Sequence, residues 1–317
     1  MLRKLILAAL LAASLPAGAQ QYPAKPVRIV VPFAPGGGSD FTGRLIAARL
    51  TERVGTTFVV ENKPGVGGNL GAGEVVKAPA DGYTLLLISG SYTVNPSVYK
   101  LAFDPINDIT PIIQISGGPY VVAVHPSVPA GTLGELVTLA RKQPGKLAYG
   151  SAGNGSVMHV STQYFLDTAK INVLHIPYKG TGPALQDTIG GQVQLIFGAV
   201  PTTLPHAKAG RLKALAVTTS KRIAAAPELP TIAESGYREY EVVNWHGLVG
   251  PKGLPKEIVD RLSREINELL KSEDMKNSLA TDGLEPAGGA PVLFAEILKR
   301  ETARWAKVVQ ASGIKVE

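Results

Sequence analysis

Apolar and polar positions along the chain alternate between two patterns. Short continuous runs rich in Val, Ile and Leu give way to stretches whose apolar residues lie three and four apart. The first pair sets the type. Val27-Arg28-Ile29-Val30-Val31 is a β-branched run stopped by Pro32-Phe33-Ala34-Pro35-Gly36-Gly37-Gly38. Phe41, Leu45 and Ala48 then recur at helical spacing among Arg44 and Arg49. This predicts a buried strand, a tight loop and a helix opening beside Ser39-Asp40. A second strand follows at Thr57–Val60, then a loop over Glu61–Asn69 and a small-residue helix through Val76. Asp81-Gly82 turns the chain into a third strand, Tyr83–Ile88, which ends at Ser89-Gly90-Ser91-Tyr92. Asn95-Pro96 is expected to open a short helix. Ile109–Ile115 and Tyr120–Val124 are two apolar runs that Gly117-Gly118 should part.

Thr132 is placed to cap a helix through Arg141, with Glu135 at the capping-box position. Lys146–Gly150 reads as a strand that empties into Ser151-Ala152-Gly153-Asn154-Gly155-Ser156, again opening a helix. Val173–Pro177 is a strand leading into Tyr178-Lys179-Gly180-Thr181-Gly182-Pro183, with proline in the first helical turn. Val193–Phe197, Lys213–Val217 and Glu241–Val249 read as further strands, with a short helix over Pro201–Ala209. Beyond the Pro251–Pro255 linker only helices are expected. One carries its apolar face on Ile258, Val259, Leu262, Ile266, Leu269 and Leu270. A short one lies near Met275–Leu279, and the last uses Phe294, Ile297, Leu298, Trp305, Val308 and Val309. Alternating strands and helices over most of the length argue for an α/β architecture.

The N-terminus stands apart. Arg3 and Lys4 precede an apolar stretch from Leu5 to Leu15, and Ala17-Gly18-Ala19 is a small-residue cleavage signal. Residues 1–19 therefore read as a signal peptide, with the mature chain starting at Gln20 or Gln21. Export to the periplasm is the expectation. Roughly 298 residues remain, enough for two domains or one large one. There is no cysteine. That removes disulfides, thiolate nucleophiles and cysteine-ligated metals. The net charge is +7, or +5 without Arg3 and Lys4, and the basic residues are scattered. No basic stripe interleaved with aromatics appears, which argues against nucleic acid.

Catalytic signatures are missing. There is no Gly-x-Ser-x-Gly elbow, no His-Glu-x-x-His and no Gly-Lys-Ser/Thr phosphate loop, and the five histidines form no pair at helical spacing. The sequence implies no enzyme, no cofactor and no metal. What it offers is three loops, 34–40, 151–156 and 180–183, each of which follows a β-rich run and opens a helix. Ligands of open α/β sheets bind at such loops, beyond the carboxyl ends of the strands. Free N–H groups and the positive helix end suit an anion there.

Taken in order, several short motifs resemble one family. They are Pro32–Asp40, Glu61-Asn62-Lys63-Pro64-Gly65, Asp81-Gly82-Tyr83-Thr84-Leu85, Ser151–Ser156 with His159, and Pro177–Ala184. Gly191-Gln192-Val193, Lys208–Leu212, Ala214–Thr218 and Leu229-Pro230-Thr231 complete the set. Together they resemble the extracytoplasmic solute-binding receptors of tripartite tricarboxylate transporters, the Bug-type or TctC-like receptors. The resemblance spans essentially the whole mature chain. It implies a type II periplasmic-binding-protein fold, with two α/β lobes joined by two crossing segments near Tyr120–Val124 and Val242–Trp245. Lobe 1 would comprise 20–121 and 244–317, and lobe 2 would comprise 122–243. It also implies a small organic carboxylate held by loops 34–40 and 151–156 through amides, hydroxyls and water. The partners implied are the ligand and the membrane permease of such a transporter, and a monomer suits hinge closure.

The candidate contacts carry alternative roles. Gly37 and Gly38 offer N–H donors. Ser39 and Ser156 can cap their helices, reach the ligand, or both. Asp40 favours capping, because a carboxylate beside a carboxylate is repulsive. Thr181, after Gly180, is a cap first and a contact second. His159 braces its loop or touches the ligand, and Asp187 meets a ligand amine or is merely a solvated acid. Phe33 and Tyr92 wall the cleft or pack. Ser91, Ser151, Ala152 and Gly155 complete the candidate set. Two rival functions remain. One is an exported dinucleotide-binding oxidoreductase, built on Gly36-Gly37-Gly38 with Glu61 at the end of the next strand. Its third fingerprint glycine is missing and Asp40 would face the pyrophosphate. The other is a sensor that presents its ligand to a signalling partner.

Overall fold

Apolar runs with no polar alternation are strands covered on both faces, and in this protein they build two separate sheets. The computed structural model describes residues 22–281, 283–312 and 314. The leader and its cleavage site lie outside the described residues. The first sheet contains β1 (Val27–Val31), β2 (Phe58–Asn62), β3 (Thr84–Ser89), β4 (Ile109–Gly118), β10 (Asn244–Pro251) and β11 (Glu285–Pro286). Its order is β11-β4-β10-β3-β1-β2. The second contains β5 (Tyr120–Val124), β6 (Ala148–Ser151), β7 (Leu174–Pro177), β8 (Leu195–Ala199) and β9 (Lys213–Val217), in the order β7-β6-β8-β5-β9.

Parallel pairs such as β1 with β2 and β3 need crossovers. Helix α1 (Gly38–Val54) and helix α2 (Asn69–Val76) supply them. Their side chains join Val27, Ile29 and Val31 in one core and Val30 and Leu86 in another, on opposite faces of the sheet. The chain leaves the first sheet through Pro119 alone, between β4 and β5, and returns through Val243 into β10. Because it comes back from the other sheet, β10 runs antiparallel to both β3 and β4.

Gly117-Gly118 does not end the strand as expected. β4 continues through both, pairing Gly117 with Trp245 and Gly118 with Asn244. The reason is close approach: a Cβ on Gly118 would lie 2.8 Å from the Gly283 carbonyl and 2.7 Å from Leu284. Nor does Asn95-Pro96 open a helix. Helix α3 (Gly90–Val98) starts directly at the end of β3 and carries Pro96 inside it. The capping expectation at Thr132 holds for helix α4 (Leu133–Lys142). Thr132 accepts from the Glu135 amide at 3.2 Å, and Glu135 reaches back to the Gly131 amide at 2.6 Å.

Six helices among the described residues remain around the second sheet and the C-terminal part. Helices α5 (Val157–Ala169), α6 (Thr181–Ile189) and α7 (Val200–Lys208) follow β6, β7 and β8. After β10 come α8 (Lys256–Lys271), α9 (Glu273–Thr281) and α10 (Pro291–Ser312). Helix α8 buries Val259, Leu262, Ile266 and Leu270 against the first sheet, as its spacing predicts. Truncating one of these leucines to alanine costs about 2–5 kcal/mol. Helix α10 buries Phe294 and Leu298 on the same sheet's other face, where Phe294 meets Trp245 edge-on at 5.9 Å. No helix among the described residues is long and apolar enough to cross a bilayer.

Candidate functional site

Strands that end together deliver the helices that follow them to one place. A narrow cavity lies between the two sheets, lined by Phe33, Gly37, Gly38, Ser39, Asp40, Ser89, Ser91, Tyr120, Ala152, Met158, Thr181, Ala199 and Asn244. Five helices begin at this lining. Gly37 precedes α1, Ser89 precedes α3, Met158 is in the first turn of α5, Thr181 opens α6 and Ala199 precedes α7. The sequence marked three of these starts as ligand loops; it named Ser91 and Tyr92 in the first turn of α3 as candidate contacts, and expected the helix over Pro201–Ala209 without linking it to the site. Helix N-termini carry partial positive charge and unpaired N–H groups. In α1 the amides of Gly38, Ser39 and Asp40 have no partner among the described residues, while Phe41 bonds back to Gly37. No lysine, arginine or histidine among the described residues lines the cavity.

Asp40 is its only carboxylate among the described residues, and it is already engaged. It accepts from the Gly36 amide at 3.0 Å, from Arg44 Nε at 3.0 Å and from Asn62 Nδ2 at 3.0 Å. Burial works most strongly against its ionisation. The hydrogen bonds from Arg44, Gly36 and Asn62 and the Arg44 charge outweigh that and hold its carboxyl below the ordinary value. The side chain therefore ties the glycine loop to β2 and α1. Phe33 lines the cavity, whereas Tyr92 turns into the core of the first sheet and stacks on Phe103.

The second loop is braced from beneath. Ser156 caps α5 by accepting from the His159 amide at 3.2 Å. His159 Nδ1 accepts from the Gly155 amide at 3.1 Å, so its proton sits on Nε2. Its ring stacks on His175 at 4.0 Å, and His175 Nε2 meets Ser151 Oγ at 2.6 Å. Burial pushes His159 down to about 4. Burial and the neighbouring His159 push His175 down to about 3. Ser151, Gly155, Ser156 and His159 thus lie behind the cavity wall, and Ala152 forms the wall. Asp187 lies apart, accepting from the Tyr178 hydroxyl at 2.7 Å. Gly180 sits just behind Thr181, at the contact between loops.

The two halves touch across the cavity. The Ala34 amide donates to the Lys179 carbonyl at 2.9 Å, the Val157 amide to Ser91 Oγ at 3.0 Å, and the Tyr99 hydroxyl to the Asn154 carbonyl at 2.5 Å. Ser91 thereby occupies one free amide of α5 and leaves Met158 as the open one. Glycine makes the approach feasible: a Cβ on Gly182 would sit 2.1 Å from the Pro35 carbonyl. Ser89, Tyr120, Met158, Ala199 and Asn244 were missed in the sequence. Ser89 and Ala199 carry a weak signal, since each ends a buried run just before a helix. Asn244 is a lone amide in the apolar run Val242–Trp245.

The dinucleotide layout is not supported by these contacts. Glu61, on which it depended, pairs with Arg28 at 2.7 Å and Lys63 at 2.7 Å, away from the cavity. No cluster of metal-ligating side chains exists among the described residues.

The model of one family, described as tripartite tricarboxylate transporter family receptor, matches residues 42–314. Protein BugT of Bordetella pertussis is 35% identical over 309 residues, covering 95% of this chain and 94% of that protein. Among solved structures, the periplasmic binding protein BugD is 34% identical with a TM-score of 0.90, over 93% of this chain and all of the other. Rpa4515 of R. palustris, solved with adipate, is 38% identical with a TM-score of 0.90 and the same coverage. MatC of Rhodopseudomonas palustris, with bound malate, is 31% identical with a TM-score of 0.85, over 91% of this chain and all of the other. Two sheets joined by two crossings form the type II periplasmic-binding-protein fold that these structures share. The chain belongs to the tripartite tricarboxylate transporter receptor family, a family of solute-binding proteins.

Proposed function

We propose that the protein is a periplasmic receptor that closes two lobes on a small carboxylate and delivers it to a tripartite tricarboxylate-type permease. Residues 1–19 serve as its export signal. The lobes are 20–121 with 244–317, and 122–243, and the receptor works as a monomer without cofactor. One observation carries this reading: five helix N-termini converge on a cavity that, among the described residues, holds no cationic side chain and only one, already bonded, carboxylate. Such a site attracts an anion through main-chain dipoles. The adipate and malate bound by related structures fit that chemistry.

The same geometry selects against an ammonium group. Asp40 is saturated by three partners and Asp187 is held by Tyr178 outside the cavity, so a ligand amine would find no free carboxylate among the described residues. Ligand contacts from both lobes favour the closed state. The test is a thermal-shift and calorimetric panel of adipate, malate, other aliphatic diacids, aromatic acids and aspartate. A ligand at a hundredfold excess over Kd should stabilise the fold by about 2.7 kcal/mol. Stabilisation by diacids without amine is expected. No response to any acid overturns the reading.

A further inference from the structure

The cavity has a polar group that neither helix ends nor glycine loops account for. Asn244 opens β10 where the chain returns to the first sheet, and its backbone pairs with Gly118 at the other crossing. Its side chain lines the cavity and is 4% exposed. The Oδ1 atom accepts from the Tyr120 hydroxyl at 3.1 Å. Tyr120 sits one residue beyond Pro119, on the first crossing. Burial pushes its phenol well above the ordinary value, so it stays a neutral donor. The Tyr120 bond turns Nδ2 the other way. Nδ2 makes no hydrogen bond among the described residues and lies 3.6 Å from where a Cβ on Gly38 would stand. The donor is therefore left open to whatever fills the cavity.

The amides of Gly38 and Ser39, which open α1 on the same lining, are unpaired donors too. Unpaired donors gathered on one lining suit a negatively charged oxygen. We infer that Asn244 Nδ2 donates to the ligand carboxylate seated at the N-terminus of α1, with Tyr120 as the positioning residue that fixes the amide's orientation. This inference rests on the carboxylate reading above. Its consequence is mechanical. The donor and its positioning partner stand on the two strands that cross between lobes, so the carboxylate is read by the hinge as well as by the lobes, and seating it ties both crossings into one bonded unit.

The experiment measures Kd by calorimetry for adipate and malate, from pH 7.5 to 5.5, with wild type, Asn244→Asp, Asn244→Ser and Tyr120→Phe. Loss of a hydrogen bond to a charged group should weaken binding about 10- to 100-fold in Asn244→Ser, by the same factor at every pH. Asn244→Asp puts a carboxylate against a carboxylate and should be weaker still at pH 7.5. Its deficit relative to wild type should shrink on acidification, as the new side chain protonates and becomes a donor. Tyr120→Phe should lose about 2- to 10-fold. Affinities in both Asn244 variants within threefold of wild type, with wild type binding normally, overturn this inference alone. So does failure of both variants to fold, since the side chain's role would then be structural. Wild type that binds no acid overturns the carboxylate reading and this inference with it.

Discussion

A methyl group on Gly38 is the smallest perturbation that separates closure from folding. The Cβ of Gly38→Ala would lie 2.7 Å from the Cβ of Ala199, across the cavity. Favourable carbon contacts begin near 3.5–4.0 Å, so the overlap is about 1 Å. Gly38 is not in the left-handed region and the α1 backbone tolerates alanine. The strain therefore falls on the approach of the two halves. Overpacking by one methyl costs about 1–3 kcal/mol. If that cost is borne only by the closed state, the apparent Kd rises by the matching factor of about 5 to 150. Valine at this position, which also crowds Asn244, should abolish measurable binding and leave the fold intact. Calorimetry with adipate and malate gives Kd, and thermal unfolding without ligand gives the control. Ala199→Gly in the Gly38→Ala background should restore much of the affinity, because it removes the opposing methyl. Gly38→Ala binding within twofold of wild type would refute the reasoning, as would a loss that Ala199→Gly leaves untouched.

Other parts of the structure make independent predictions. Asp40→Asn should lose about 1–3 kcal/mol in urea unfolding. Because the folded carboxyl lies below its ordinary value, this contribution should vanish as the pH falls below about 4. Tyr99→Phe removes a bond between the halves and should weaken adipate or malate binding about 2- to 10-fold, with little change in ligand-free melting. Burial holds His246 down to about 4, close to His159, with His175 lower still at about 3. The unfolded chain protonates each histidine near pH 6.5 and the folded chain only near 4 or below, so stability is full above about 6.5 and drains on acidification. His175→Asn should flatten that slope by about 1.4 kcal/mol per pH unit, as read from urea midpoints between pH 6.5 and 4.5.

Much of the architecture was legible because strands buried on both faces leave uninterrupted apolar runs and surface helices leave a 3.6-residue period. Val27–Val31 and the apolar face of 256–271 are of that kind. Gly117-Gly118 misled because a glycine written for a turn and one written for close packing look alike. Only the nearness of Leu284 and the Gly283 carbonyl distinguishes them. The glycine loops of the candidate site were equally legible; the three bonds of Asp40 stay within the glycine loop, α1 and β2. Ser89 and Ala199 stayed hidden because each is a single small residue at the end of a buried run, with no glycine-rich motif of its own kind to mark it. Tyr120 and Asn244 stayed hidden for another reason. They are 124 residues apart, and only the two crossings bring them to one hydrogen bond.

The central claim is that main-chain amides at converging helix ends, not charged side chains, hold the ligand. A crystal structure of the adipate or malate complex tests it most directly. The account predicts a carboxylate oxygen about 2.7–3.2 Å from the amide nitrogens of Gly38 and Ser39, with no lysine, arginine or histidine in contact. A ligand carboxylate paired instead with Arg44 or Lys179, with those amides left to water, would contradict it.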